Sequence, residues 1–158
     1  MTPVRAALRP SSALLPRVSD GLDGVNRGHR RLIDTAIRAL FSDSLDLDAA
    51  LRTQRPQDNR WDYLVGHAGS GKVVGLEPHS AATGEVSTVI AKRAAARAQL
   101  QDHFRRGAAV AAWFWVASGR VDFVPHDKAM MRLLQAGITF VGGRVLAKHL
   151  SELASDSG

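Results

Sequence analysis

Apolar residues recur along this chain with two different periods, and the switches between them mark out its elements. From Asn26, the stretch NRGHRRLIDTAIRALF places Leu32, Ile33, Ala36, Ile37, Leu40 and Phe41 three and four residues apart. That spacing predicts a helix with one apolar face, capped by Asn26, with Arg27, Arg30, Arg31 and Arg38 on its outer side. The period is lost after Asp43, Asp46 and Asp48, through RTQRPQDNR, and then becomes two. WDYLVGH and KVVGLEPHS read as strands joined around Gly69-Ser70, a dipeptide suited to a two-residue type II′ turn because glycine accepts positive φ at its first position. Helical spacing returns in EVSTVIAKRAAARAQLQDHF, opened by Thr83 and Gly84, with Val86, Val89, Ile90 and several alanines inward.

The last third alternates again. In AAVAAWFWVASG, Trp113 and Trp115 interleave with Phe114 and Val116, which predicts a strand buried on both faces and makes the tryptophans core rather than a base-stacking surface. A Ser118-Gly119 turn then leads into RVDFVP, Asp127 caps a short helix KAMMRLLQAG ended by Gly137, and ITFVGGRVL reads as a strand broken at Gly142-Gly143. These elements predict an α/β fold: one domain over residues 25–150, a mixed central sheet flanked by helices, and a frayed C-terminal tail over 151–158. No internal repeat is present.

The hairpin register follows from its turn. With Ala68 opposite Gly71, Val65 faces Val74, Leu64 faces Gly75, Tyr63 faces Leu76 and Asp62 faces Glu77. Both faces of the pair are then apolar, as expected for strands covered on both sides.

Composition narrows the function classes. The chain has 158 residues, 45% hydrophobic and 23% charged, enough for one domain with a real core. It has no cysteine, which removes disulfides, thiolate metal sites and thiol nucleophiles and suits a reducing compartment, with the cytoplasm as the expectation. Twenty-one Lys and Arg against fifteen Asp and Glu give a net charge of +6, a balance that favours a polyanionic partner such as nucleic acid. No apolar run reaches the roughly 18–20 residues that cross a bilayer, so no membrane role is expected. Residues 1–24 carry Arg5, Arg9 and Arg17, with no acid before Asp20, as a transit peptide would. Pro3, Pro10 and Pro16 argue instead for a flexible N-terminal arm available to dock on a protein partner.

Two places offer chemistry. Gly66, Gly71 and Lys72 satisfy the spacing of a phosphate-binding loop, but Val73 stands where Ser or Thr should ligand Mg²⁺, and a β-branched stretch stopped by proline follows instead of a helix. A hairpin is the better reading. The facing acids Asp62 and Glu77 matter more, because carboxylates with Cβ atoms roughly 5 Å apart repel unless a divalent cation bridges them, an arginine neutralises them or one stays protonated. His79 projects to the same face. A structural reading stands beside this one: Asp62 bonded to a loop, Glu77 paired with Arg60 or Arg93, and His79 in a turn before the helix. His29, His67, His103, His126 and His149 show no zinc-like spacing.

The order helix, strand with Asp, hairpin, strand with Glu-X-polar, long basic helix, strand resembles the PD-(D/E)xK nuclease superfamily, with its restriction-endonuclease-like αβββαβ core, over residues 26 to about 123. The resemblance implies an Mg²⁺-dependent (or Mn²⁺-dependent) endonuclease acting on nucleic acid, with DNA as the expected substrate and a homodimer as a common assembly. It implies that Asp62 and Glu77 hold the metal. Glu77-Pro78-His79 departs from the motif where a lysine should orient the attacking water; histidine carries no permanent charge at neutral pH, although it can accept a proton. In some members the lysine comes from the following helix, a part open here to Lys92. Asp62, Glu77, His79 and Lys92 are thus the catalytic candidates, and Arg30, Arg31, Arg93 and Arg97 the candidates for phosphate contacts. The same fold without catalysis, serving binding or assembly, is the alternative.

Overall fold

The alternating stretches become neighbours in one sheet. In the computed structural model, which describes residues 1–54, 56–122 and 128–155, six strands lie side by side in chain order: β1 (Ser19–Asp20), β2 (Phe41–Asp46), β3 (Tyr63–His67), β4 (Lys72–Ala81), β5 (Val110–Val121) and β6 (Ile138–Gly142). The first four pair antiparallel, while β5 runs parallel to β4 and β6 parallel to β5. Parallel pairing needs a long return, which α4 (Val86–Leu100) provides between β4 and β5, with α5 (Lys128–Gln135) between β5 and β6. Helices α1 (Pro3–Ala7), α2 (Arg27–Arg30), α3 (Leu47–Arg52) and α6 (Ala147–Ser155) complete the described set. The α/β class with a mixed, helix-flanked sheet is therefore observed.

The hairpin register is the expected one, with Tyr63 opposite Leu76, Leu64 opposite Gly75 and Val65 opposite Val74. Its turn differs. Pairing ends at His67–Lys72, which leaves four residues to reverse the chain, and the left-handed position falls on Gly71 (φ +69°) instead of Gly69. Its N–H donates to the His67 carbonyl at 2.9 Å.

The sheet separates two apolar clusters. On one face Leu45, Leu64, Val73, Trp113 and Trp115 pack under α1, α3, α4 and α5; on the other, Phe41, Tyr63, Val65, Val74, Leu76, Phe114 and Val116 pack against Val25, Ile33, Ile37 and α6. The alternation of tryptophans with Phe114 and Val116 places them in different clusters, as core. Pro78 fits inside β4 because β3 pairs only as far as Leu76, so at that level β4 has a neighbour on the β5 side alone.

Several expected elements take another form. The helix from Asn26 closes after one turn, with Asn26 Oδ1 accepting from Gly28 N–H at 3.0 Å, and a 3₁₀ segment Thr35–Leu40 follows. Between them Asp34 N–H donates to Val145 O and Val145 N–H to Leu32 O at 2.9 and 2.8 Å, so backbone groups that a helix would use are taken by another segment. Ile33, Ile37 and Phe41 are still buried in one cluster, which is why their spacing misled. The acidic stretch is strand β2, and Asp46 caps α3 by accepting from Ala49 N–H at 2.9 Å.

Residues 1–24 are not a free arm. Val4, Leu8 and Leu14 are buried, and the Val4 and Arg5 N–H groups donate to the Asp43 carboxylate at 3.1 and 3.0 Å. Pro3 and Pro16 occupy the first turns of α1 and of the 3₁₀ segment Leu15–Arg17, where a missing N–H does no harm. The segment docks on its own sheet, which removes the main support for a partner-docking arm.

Strand β5 runs through Ser118-Gly119 without turning, and its far end still pairs, Val121 with Ala81. The expected tail begins inside α6, where Leu150 and Leu153 are buried and Lys72 Nζ donates to the Leu153 carbonyl at 2.6 Å. That bond, together with the strand that follows, disposes of the phosphate-loop reading of Lys72. The expected cap Asp127 lies outside the described residues. Among those residues no helix is long and apolar enough to cross a membrane.

Candidate functional site

Each residue of the site is placed by a local rule. On β4, Val73, Gly75 and Glu77 alternate toward α4, so Glu77 projects into the layer between sheet and helix. Gly75 allows two large rings to meet there: a Cβ would lie 2.7 Å from the Trp113 ring and 3.0 Å from Trp61 Nε1. Trp61 and Trp113 pack edge to face at 5.1 Å and make an apolar floor beside Glu77. Asp62 immediately precedes β3, one step beyond the Tyr63–Leu76 pair and therefore level with Glu77. Lys92 comes from α4, on the inward stripe that also holds Val89, Ala96 and Gln99, all buried.

These groups meet. Glu77 is fully buried. Its Oε1 accepts from Asp62 N–H at 2.9 Å, while its Oε2 accepts from Lys92 Nζ and lies 3.3 Å from His79 Nδ1. The same Nζ is 3.6 Å from Asp62 Oδ1, so one ammonium spans both acids. The other ring nitrogen of His79, Nε2, is 2.8 Å from Glu85 Oε2. Asp62, His79 and Lys92 side chains keep 24%, 23% and 16% of their exposure, so the cluster opens to solvent on their side.

Its electrostatics follow from that packing. Burial and the neighbouring Glu77 push Asp62 up to about 7, against the pull of Lys92. The hydrogen bond to Glu77 raises His79 above its ordinary value despite burial, and Glu85 adds to the shift. Burial opposes the charge on Lys92, but Glu77 and Asp62 outweigh it and hold the ammonium above its usual range. A carboxylate lies against each ring nitrogen, so the surroundings of His79 favour its protonated form.

The other candidates are dispersed. Arg93 lies with its guanidinium 5.6 Å from the Trp113 ring and against Gly137, where a Cβ would come within 2.8 Å of Nη2; it is a packing residue, not part of a phosphate-facing surface. Arg30 Nε donates to Val25 O at 2.8 Å, and its helix packs on the sheet face opposite the acids, with His29 Nδ1 2.7 Å from the Tyr63 hydroxyl. Arg31 and Arg97 are exposed, one on each side of the sheet. Neither structural partner expected for Glu77 is used, since Arg60 instead meets Asp48 at 2.8 Å. Asp48, also paired with Arg52, is held below the usual carboxylate range because the two guanidiniums outweigh its burial.

Glu85 and Asp48 were missed as neighbours of the site. Glu85, Lys92 and Gln99 are seven residues apart, a polar series threaded through the apolar stripe of α4, and that signal was available in the sequence. Asp48 sits in the first turn of α3, a helix too short to show a period in the sequence.

A hard divalent ion prefers carboxylate oxygens. Asp62 and Glu77 offer such oxygens, and both converge on one cation, Lys92 Nζ, while Glu85 faces His79. Among the described residues no three His, Asp or Glu side chains form a group able to hold an ion by themselves. Such an ion would take its remaining ligands from water or a bound phosphate. No protein-family model, curated protein or solved structure matches this chain.

Proposed function

We propose that this protein is a divalent-metal-dependent nuclease of PD-(D/E)xK type, with Asp62 and Glu77 as metal ligands and the lysine of the motif supplied by Lys92 from α4. The observation that carries the reading is the convergence of Asp62, Glu77 and Lys92 from two adjacent strands and the following helix. What supports the reading beside it is an antiparallel run β2–β3–β4 followed by the crossover α4 and the parallel strand β5. The net charge of +6 suits a polyanionic substrate, and DNA is the substrate we favour.

A bound Mg²⁺ or Mn²⁺ would polarise a phosphate and lower the pKa of a water. The chain's own part is orientation. Lys92, fixed by two carboxylates, presents N–H donors at the acid pair and can hold a water or phosphate oxygen there. His79 occupies the motif position that lysine leaves empty, with Nδ1 3.3 Å from Glu77 Oε2. Arg97, exposed on the helix that carries Lys92, would meet a backbone phosphate, making affinity fall with salt.

The test is Mg²⁺- or Mn²⁺-dependent nicking of supercoiled plasmid. Asp62→Asn and Glu77→Gln are expected to lose it by about 1,000-fold or more while the thermal transition is retained. Nicking unchanged in both variants removes the site. A second reading, the same fold as a non-catalytic binding module, is favoured by one observation: Lys92 already neutralises the acid pair. A wild-type protein that binds DNA and nicks none with either metal decides for the module.

A further inference from the structure

We propose that Glu85 is a positioning residue of this site: its carboxylate fixes the ring of His79 so that Nδ1 is presented to Glu77. The role in catalysis rests on the nuclease reading above; the fixing of the ring does not.

Three observations carry it. Glu85 stands at the start of α4, where an acidic side chain ordinarily turns back to cap free N–H groups, yet it makes no capping hydrogen bond and reaches His79 Nε2 at 2.8 Å. The 3₁₀ turn Thr83–Glu85, with Glu85 N–H donating to Ala82 O at 2.9 Å, sets its backbone within reach of the end of β4. The remaining freedom of His79 is rotation of its ring, and only an orientation with a nitrogen toward each carboxylate makes both contacts. Trp115 limits that rotation from one side, edge to face at 6.3 Å, and its Nε1 donates to the His79 carbonyl at 3.2 Å.

The consequence falls on Glu77. Its Oε2 has two donors, Lys92 and His79, and the second is held in line from outside by Glu85. Without Glu85 the ring is free to turn, and Glu77 is left with Lys92 alone at that oxygen. Groups of this kind act through the residue they hold, and their loss typically lowers activity about 10- to 100-fold.

The experiment compares Glu85→Ala, Glu85→Gln and wild type in two readouts. In ¹⁵N-histidine-labelled protein, the hydrogen-bonded ring N–H signals that vanish in His79→Asn identify His79. They are expected in wild type, retained in Glu85→Gln, whose amide oxygen still accepts, and lost in Glu85→Ala at an unchanged melting temperature. In plasmid nicking, Glu85→Ala is expected to lower kcat about 10- to 100-fold with little change in KM, and Glu85→Gln to recover most of it. Ring signals that persist in Glu85→Ala overturn the proposal, whatever the nicking shows. Equal defects in the Ala and Gln variants also overturn it, because they would mean that the charge of Glu85 at the start of α4, not its grip on the ring, is what matters. Ring signals that behave as expected in a protein without nicking keep Glu85 as the residue that fixes His79, and overturn the nuclease reading alone.

Discussion

Asp43 and Glu77 are both fully buried, both on strands of one sheet and both on the face that α1 and α4 cover, yet their surroundings differ in kind. Asp43 accepts from two backbone N–H groups, those of Val4 and Arg5, and lies over Gly66, where any side chain would collide with it. Glu77 meets one backbone N–H and two basic side chains, with a second acid beside it. Backbone donors are neutral and fixed, so Asp43 acts as a bolt that fastens the N-terminal segment to the sheet. Side-chain ions can exchange partners and protons. What separates the two residues is therefore the kind of donor rather than the depth of burial.

The strongest way to break this comparison is Asp43→Ala. It orphans one buried and one half-buried N–H group and should destabilise the protein by about 3 kcal/mol or more, lowering Tm by roughly 10 °C. Nicking per folded molecule should stay as it was. A Tm within a degree of wild type would end the description of Asp43 as a bolt.

Lys92→Met tests the other carboxylate. Removing one partner of a buried pair leaves Glu77 under-compensated, with an expected loss of about 3 kcal/mol. Adding Glu77→Gln to that variant should restore at least half of it, as measured by chemical denaturation in a double-mutant cycle. Additive losses would show that the two residues do not depend on each other.

The smallest effect belongs to Asp62 and has a sign fixed by its pKa. Because folding raises that pKa from 3.8 to about 7, the carboxyl favours the folded state most below pH 4, and the benefit is lost as pH rises through about 7. Asp62→Asn, neutral throughout, should therefore match wild type near pH 4 and exceed it at pH 8. Because solvent reaches part of the Asp62 side chain and screens the effect, about 1–2 kcal/mol and a few degrees of Tm are expected. A variant less stable than wild type at pH 8 would mean that Lys92, and not Glu77, dominates the surroundings of Asp62.

Much of the site was legible because it lies on a hairpin. Period-two alternation on both sides of a tight reversal leaves one register that buries Tyr63, Val65, Val74 and Leu76 together, and that register alone sets Asp62 level with Glu77. The register survived an error about the turn, since a two-residue and a four-residue loop around Gly69-Ser70 pair the same residues. Lys92 was legible only as a possibility, because helical spacing fixes which residues share a face but not which way that face turns. Seven-residue spacing likewise set Glu85 on the stripe of Lys92 but not within reach of His79 Nε2, a contact made only by the turn Thr83–Glu85. Around Ile33 and in residues 1–24, local pattern gave the right buried residues and the wrong backbone, because the hydrogen-bond partners, Val145 and Asp43, lie far along the chain.

By itself, then, the sequence determined the class of fold, the buried faces of the central strands and the meeting of two acids, since each depends on neighbours a few residues apart and on apolar groups leaving water. Only the tertiary structure decided that Lys92 bridges those acids, that Arg93 is spent on Trp113 and that the N-terminal segment is pinned by Asp43. Charges inside a protein answer to whichever groups the folded chain brings within a few ångströms, and that company is a property of the packing.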